Sequence, residues 1–199
     1  TGFRVHIGGA QSYFGVTPDL AAFGKGMGNG MPISAIVGKA DIMKGMEDIF
    51  YSGTFGGEAL SLAASIAVID KIENENVIDT LWSIGKTLST QLHQLITKYD
   101  LDKTIHIQGL DPWKIISFSD HECATKEELK TFFMVEMLAQ GILIASSHNV
   151  CFAHTQDDVT SIINAYDYSL RRIKQELDQN SLKDSLKVPA IYPVFQIRG

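Results

Sequence analysis

The chain of 199 residues holds only two cysteines, Cys123 and Cys151. They stand far apart and neither belongs to a C-x-x-C pair, which argues against a disulfide scaffold, a zinc knuckle and a dithiol redox motif. Both read as small core residues of a protein from a reducing compartment, the cytoplasm. Positive charge is also scarce: 17 basic residues face 23 acidic ones, a net of −6, with no basic run. That balance argues against a general nucleic-acid or anionic-membrane binder. No apolar stretch reaches the roughly 18 residues of a membrane span. No internal repeat is visible. What remains, 45% hydrophobic and 20% charged residues, is an ordinary globular composition long enough to bury a core.

Several catalytic motifs are missing as well. Walker A requires Ser or Thr after its lysine, and Lys25 is followed by Gly26. The glycines from Gly24 to Gly30 do not have the G-x-G-x-x-G spacing, and Pro32 with a second apolar run follows where a helix should open. Ser146 and Ser147 lie outside any G-x-S-x-G elbow. The six histidines show no i,i+4 pair on one helix, so no metal set is expected.

The local patterns predict an α/β first part. Two short apolar runs, Leu20-Ala21-Ala22-Phe23 and Ile33-Ser34-Ala35-Ile36-Val37, flank the glycine cluster and read as two buried strands joined by a loop. Residues 58–72 are apolar on more than one face and read as a largely buried helix. Val77, Leu81, Ile84, Leu88, Leu92, Leu95 and Tyr99 recur at three- and four-residue steps, which is a long amphipathic helix.

The second part reads β-β-α-β-α, a compact α+β unit. Strands are expected at 104–108 and 114–119 around Gly109-Leu110-Asp111-Pro112. A capping box at Thr125–Glu128 opens a helix that Gly141 stops. A short strand is expected at 142–145. Thr155-Gln156-Asp157-Asp158 opens the last helix, with Val159, Ile162, Tyr166, Leu170, Ile173 and Leu177 as its buried stripe. The boundaries expected are 1–80 for the first domain, 81–180 for the second, and 181–199 for an extended tail containing Pro189 and Pro193.

Lys25 is the centre of the chemical argument. A lysine at a strand end, among glycines and apolar neighbours, can be partly desolvated, which keeps its amine neutral and nucleophilic. The same spacing also suits a solvent-exposed lysine on a turn. Ser52-Gly53-Thr54-Phe55-Gly56-Gly57 precedes the helix at 58, and backbone amides with a Thr hydroxyl suit a phosphate oxygen. An ordinary helix entry reads the same way.

Taken in order, Thr1-Gly2-Phe3-Arg4-Val5, Gly8-Gly9-Ala10-Gln11, Tyr13-Phe14-Gly15-Val16-Thr17-Pro18-Asp19-Leu20, Gly24-Lys25 and Gly30-Met31-Pro32 resemble the class III aminotransferases, and among them the glutamate-1-semialdehyde aminomutases. The likeness is dense to about residue 72 and returns at Ala153-His154-Thr155. It implies a fold type I enzyme dependent on pyridoxal 5'-phosphate (PLP): the end of its large domain, followed by a small α+β domain. By this resemblance Lys25 forms the Schiff base with the cofactor and serves as acid–base, while Gly53 and Thr54 contact the cofactor phosphate across a homodimer interface. The partners implied are a small-molecule amino donor and a carbonyl acceptor. The family pattern places an aspartate for the pyridine nitrogen just before Thr-Gly-Phe-Arg, so the chain is expected to be the carboxyl-terminal half of an enzyme, inactive alone, with a non-catalytic fragment that only dimerises as the alternative.

Two departures from the family pattern matter. Gly56-Gly57-Glu58 stands where Gly-Asn-Pro is common. Ser146-Ser147-His148-Asn149 replaces a loop that in the aminomutases carries an acidic residue, which favours an aminotransferase over a mutase and offers His148 and Asn149 to the substrate.

Overall fold

The computed structural model describes residues 1–193. The chain forms two compact units that divide after Trp82.

The first unit contains α1 (Gly9–Tyr13), β1 (Leu20–Phe23), β2 (Ala35–Gly38), α2 (Ala40–Met43) and α3 (Ala59–Asn74). β1 and β2 pair antiparallel, with Leu20 opposite Gly38 and Phe23 opposite Ala35. The expected strands therefore form, but they are not buried: Leu20, Ile36 and Val37 are each more than two-fifths exposed. A two-stranded ribbon has two faces, and no described element of this unit lies over them deeply enough to remove these side chains from water.

α3 departs further from its expected burial. The side chains that it buries are Ser61 and Ser65, while Leu60, Leu62 and Ile66 stand exposed. Its apolar residues spread around the whole circumference, so one packed side cannot hide them. Order in this unit comes from a small aromatic cluster. Phe3 packs on Phe23 at 5.5 Å, Tyr13 stacks on Trp82 at 5.3 Å, and the Trp82 indole donates to the Val5 carbonyl at 2.9 Å. Gly9 is fixed by this packing, because at φ 77° a Cβ there would stand 2.7 Å from the Phe23 ring.

α4 (Val77–Lys98) buries Val77, Leu81, Leu88 and Leu92 of the expected stripe, leaves Ile84 and Leu95 half-buried, and also buries Ile96. The second unit continues with β3 (Ile105–Leu110), β4 (Trp113–Phe118), α5 (Lys126–Ala139), β5 (Ser147–Asn149), α6 (Gln156–Asp178) and α7 (Leu182–Ser185). Its sheet runs β3-β4-β5, antiparallel throughout. Asp111 and Pro112 make the tight turn between β3 and β4, and Lys114 braces it through the Gly109 carbonyl and the Asp111 carboxylate. α4 comes so close to this turn that a Cβ at Gly85 would sit 2.2 Å from the Asp111 carbonyl oxygen.

The expected capping box of Thr125 with Glu128 is present, and the expected helix start at Thr155 proves to be a second one, with Asp158. Between the helices and the sheet lies the core: Leu129, Phe132, Phe133 and Met137 of α5 meet Tyr166, Leu170 and Ile173 of α6, with Leu92 and Ile116 beside them. Phe133 packs at 5.5 Å from Phe118 and 5.3 Å from Tyr166.

Three local expectations are corrected. The strand expected at 142–145 lies at Ser147–Asn149 instead, because β4 pairs Trp113 with Asn149 and Lys114 with His148, leaving Leu143 almost fully exposed. The tail from Ser181 is not extended at its start: α7 buries Leu182, and Glu176 accepts from the Ser181 and Ser185 hydroxyls at 2.6 Å each. Residues 194–199 of that expected tail lie outside the described residues. Of the two cysteines, Cys123 is half-buried and Cys151 is exposed, so Cys151 is not a core residue.

Candidate functional site

Lys25 stands at the first residue after the Gly24 that ends β1, in the loop returning to β2. The loop folds at once into a tight turn, with Met27 N–H donating to the Gly24 carbonyl and Asn29 N–H to the Lys25 carbonyl. This places Lys25 at φ 47°, in the left-handed region. Four of the five non-glycine residues with positive φ are Asn or Asp, the types that tolerate it, and Lys25 is the exception. Backbone strain of that kind gathers at functional positions.

The Lys25 amine donates to the Thr1 hydroxyl at 3.1 Å. No carboxylate among the described residues pairs with it. Lys25 is exposed, where partial burial was expected. An exposed amine with no carboxylate partner among the described residues, on a strained turn, is accessible to an aldehyde.

Gly53 and Thr54 line a cavity of about 510 Å³ in the same unit. Ser34, Tyr51 and Glu58 contribute polar groups, and Ile36, Met46 and Leu62 are among its apolar walls. Lys25 is not part of this lining. Gly53 is open on its side-chain face, which leaves its backbone approachable, and Thr54 is exposed. The Thr54 hydroxyl and the Gly53–Thr54 backbone offer contacts to a phosphate oxygen, while the one charged side chain in the lining is the Glu58 carboxylate, so positive charge for a phosphate is not supplied by this lining.

Motif reading missed the structural part played by Glu58. It caps α3: one carboxylate oxygen accepts from Leu60 N–H at 2.7 Å, the other from Ser61 N–H at 2.7 Å and the Ser61 hydroxyl at 2.6 Å. The Ser61 hydroxyl, then the two amides, hold this carboxyl below the usual range. Glutamate is outside the preferred N-cap set of Ser, Thr, Asp and Asn. The one available signal was its place between a glycine pair and an alanine-leucine run.

In the second unit His148 and Asn149 share a cavity of about 360 Å³ with His154, Asp158 and Ser161. The two residues face opposite ways, as neighbours on a strand do. Asn149 is exposed. His148 is buried, and its Nε2 hydrogen-bonds the Tyr166 hydroxyl at 2.5 Å. Burial, and then the nearby His154, depress its pKa to about 4. Burial pushes the Tyr166 phenol up. The imidazole is thus a neutral core group above pH 4, and its Nδ1 has no partner among the described residues. Among the described residues no group of three or more His, Cys, Asp or Glu could hold a metal ion, and no helix is long and apolar enough to cross a membrane.

The profile of the family Aminotransferase class-III matches residues 7–160. The chain belongs to the class III aminotransferases. Within that family it is similar to the 3-aminobutyryl-CoA aminotransferase of Cloacimonas acidaminovorans (strain Evry), at 30% identity over 181 residues, which cover 89% of this chain and 43% of that protein. The FumI protein of Sphingopyxis sp. MTA144, solved in its PLP internal aldimine form, superposes with a TM-score of 0.79 at 27% identity, covering 89% of this chain and 42% of that one. A transaminase with PLP bound superposes with a TM-score of 0.81 at 18% identity, covering 89% and 43%, and shows the shared fold. The fold is thus the α/β fold of PLP-dependent transaminases, and the chain spans 43% of the length of the curated relative that it matches.

Proposed function

We propose that this chain is the lysine-bearing part of a PLP-dependent aminotransferase that moves an amino group from a small-molecule donor to a carbonyl acceptor. The observation that carries the reading is Lys25: a lysine held at φ 47° just after a strand, with its amine free of any carboxylate. Bound PLP would supply an aldehyde and an electron-withdrawing ring. The chain's own contribution is the amine and its proton. As nucleophile, the Lys25 Nζ anchors the cofactor. Once released, the same Nζ takes the substrate α-proton and returns it one position away, so one nitrogen serves as base and then as acid. The short turn from Gly24 to Asn29 limits where that nitrogen can swing.

The Gly53–Thr54 backbone and the Thr54 hydroxyl would contact the phosphate. Lys25 is not among the residues that line the Gly53–Thr54 cavity, which supports a site completed by a second copy, a homodimer. Asn149, exposed on β5, is offered to the substrate, and His148 stands behind it as a core residue. The segment 146–149 carries no acidic side chain, which supports transamination between molecules over a glutamate-1-semialdehyde-type rearrangement within one. The length that the relatives have beyond this chain would supply the remaining cofactor contacts, so the 199 residues alone are proposed to be inactive.

The test is borohydride reduction of the protein purified from its own source, followed by peptide mapping, with Lys25→Ala beside it. A pyridoxyl mass on the Lys25 peptide and turnover reduced at least about a thousandfold in the variant are expected. Turnover retained in Lys25→Ala would end this assignment.

A further inference from the structure

Two pinned stretches of backbone meet beside β1. One carries Lys25, whose carbonyl accepts from Gly28 N–H at 3.3 Å and from Asn29 N–H at 3.1 Å. The other carries Thr1, whose carbonyl accepts from Arg4 N–H at 3.1 Å. The residues after Thr1 are wedged in place. A Cβ at Gly2 would stand 2.5 Å from the Ala10 amide nitrogen, and the Phe3 ring packs on Phe23. Phe3 also backs the lysine turn, since a Cβ at Gly26 would lie 3.6 Å from the Phe3 Cβ. From these two roots the side chains reach each other, with the Lys25 Nζ donating to the Thr1 Oγ1 across 24 residues of sequence.

We propose that Thr1 is a positioning residue for the Lys25 amine, holding Nζ in place whenever it is not bonded to the cofactor. This deepens the proposed function and rests on the reading of Lys25 as the cofactor lysine. A lysine carries its nitrogen on a flexible four-carbon stem, so pinning the backbone does not by itself place the amine. A second contact near the tip does. The chemistry of that contact matters. A carboxylate would hold the nitrogen too, but it favours the charged ammonium, which has no lone pair to attack an aldehyde. A hydroxyl is both acceptor and donor. It accepts from the ammonium, and by turning about its C–O bond it donates to the lone pair of the neutral amine. Thr1 therefore holds the nitrogen in both protonation states, which a group serving as nucleophile, base and acid in turn requires.

The experiment uses the protein at the length its own source makes, freed of cofactor, with pyridoxal 5'-phosphate as the probe. Covalent capture is timed by quenching with borohydride and counted as the pyridoxyl mass on the Lys25 peptide. Thr1→Val keeps the shape of the side chain and removes the hydroxyl. Thr1→Ser keeps the hydroxyl and removes the methyl. Thr1 is exposed, so neither change burdens the fold. In Thr1→Val, capture is expected to slow about three- to tenfold, the worth of one hydrogen bond. Thr1→Ser should stay within about twofold of the parent. If Thr1→Val captures the probe as fast as the parent or faster, the role of Thr1 is overturned and the reading of Lys25 stands. The same holds if Thr1→Ser slows as much as Thr1→Val, since the effect then does not follow the hydroxyl. If the parent takes no label on Lys25, the reading of Lys25 falls and the role of Thr1 with it.

Discussion

The two units solve the burial problem differently. The second sets α5 and α6 against a three-stranded sheet and leaves Leu129, Met137 and Ile173 with no exposed surface. The first leaves Phe50 at 96% exposure and Leu60, Ile66 and Phe55 each above 60% or at it, while its long helix buries serines. The second is therefore held by its own packing. The first is held by a few aromatic contacts and by backbone turns. It carries Lys25 and the Gly53–Thr54 cavity on a surface that has a great deal of apolar area to cover. The unit with Lys25 is the one with the smaller core, in which Val5, Met27, Val77 and Leu81 are buried.

Core truncation should separate the two units most sharply. Phe133→Ala removes a side chain 1% exposed between Phe118 and Tyr166, and is expected to cost about 3–5 kcal/mol. Denaturant unfolding followed in the second unit would measure it. A cost below about 1 kcal/mol would mean that this core is as loose as the first unit.

Acid should act next, again on the second unit. The His148 pKa is depressed to about 4 against an unfolded value of 6.5, so the unfolded state binds the extra proton between those limits. Stability from this group is complete above pH 6.5 and declines as the pH falls to 4, by about 3 kcal/mol in all. The difference between the parent and His148→Phe, taken point by point from pH 7 to 4, isolates it. Parallel profiles would show that His148 gains its proton without resistance.

The smallest effect belongs to the first unit. Ile66→Ser, at a position 62% exposed, should change unfolding free energy by less than about 0.5 kcal/mol while lowering the binding of an apolar dye. A loss of 2 kcal/mol or more would show that α3 is covered after all.

The second unit was legible because its signals are local and self-consistent. Thr125 and Thr155 announce helices by residue type and spacing alone, and the stripe on α6 has one apolar face, so periodicity and burial coincide. The first unit breaks that link. An all-round apolar helix reads as buried, and α3 is apolar all round, but the surface that would bury it is not among the residues of its own unit. The same reasoning explains the exposed β1 and β2. β5 was misplaced because the apolar run at 142–144 carried the strand signal while pairing with β4 chose the polar Ser147–Asn149. For the site, Lys25 could be singled out by its neighbours, but its left-handed backbone and its exposure could not. Glu58 capping α3 follows no residue preference, so residue type alone does not announce it.

The ties on the last described stretch have a consequence for proteolysis. Glu176 holds Ser181 and Ser185, and sixty residues away in sequence the Thr131 hydroxyl accepts from Ile191 N–H at 2.8 Å. Lys187 lies between these anchors and is exposed, as a trypsin site should be. A protease, though, must draw several residues into its cleft as an extended strand, and here both ends of that span are pinned. Cleavage at Lys187 therefore requires one anchor to release first, and the rate of nicking there reports how often the end of the chain lets go of α5 and α6.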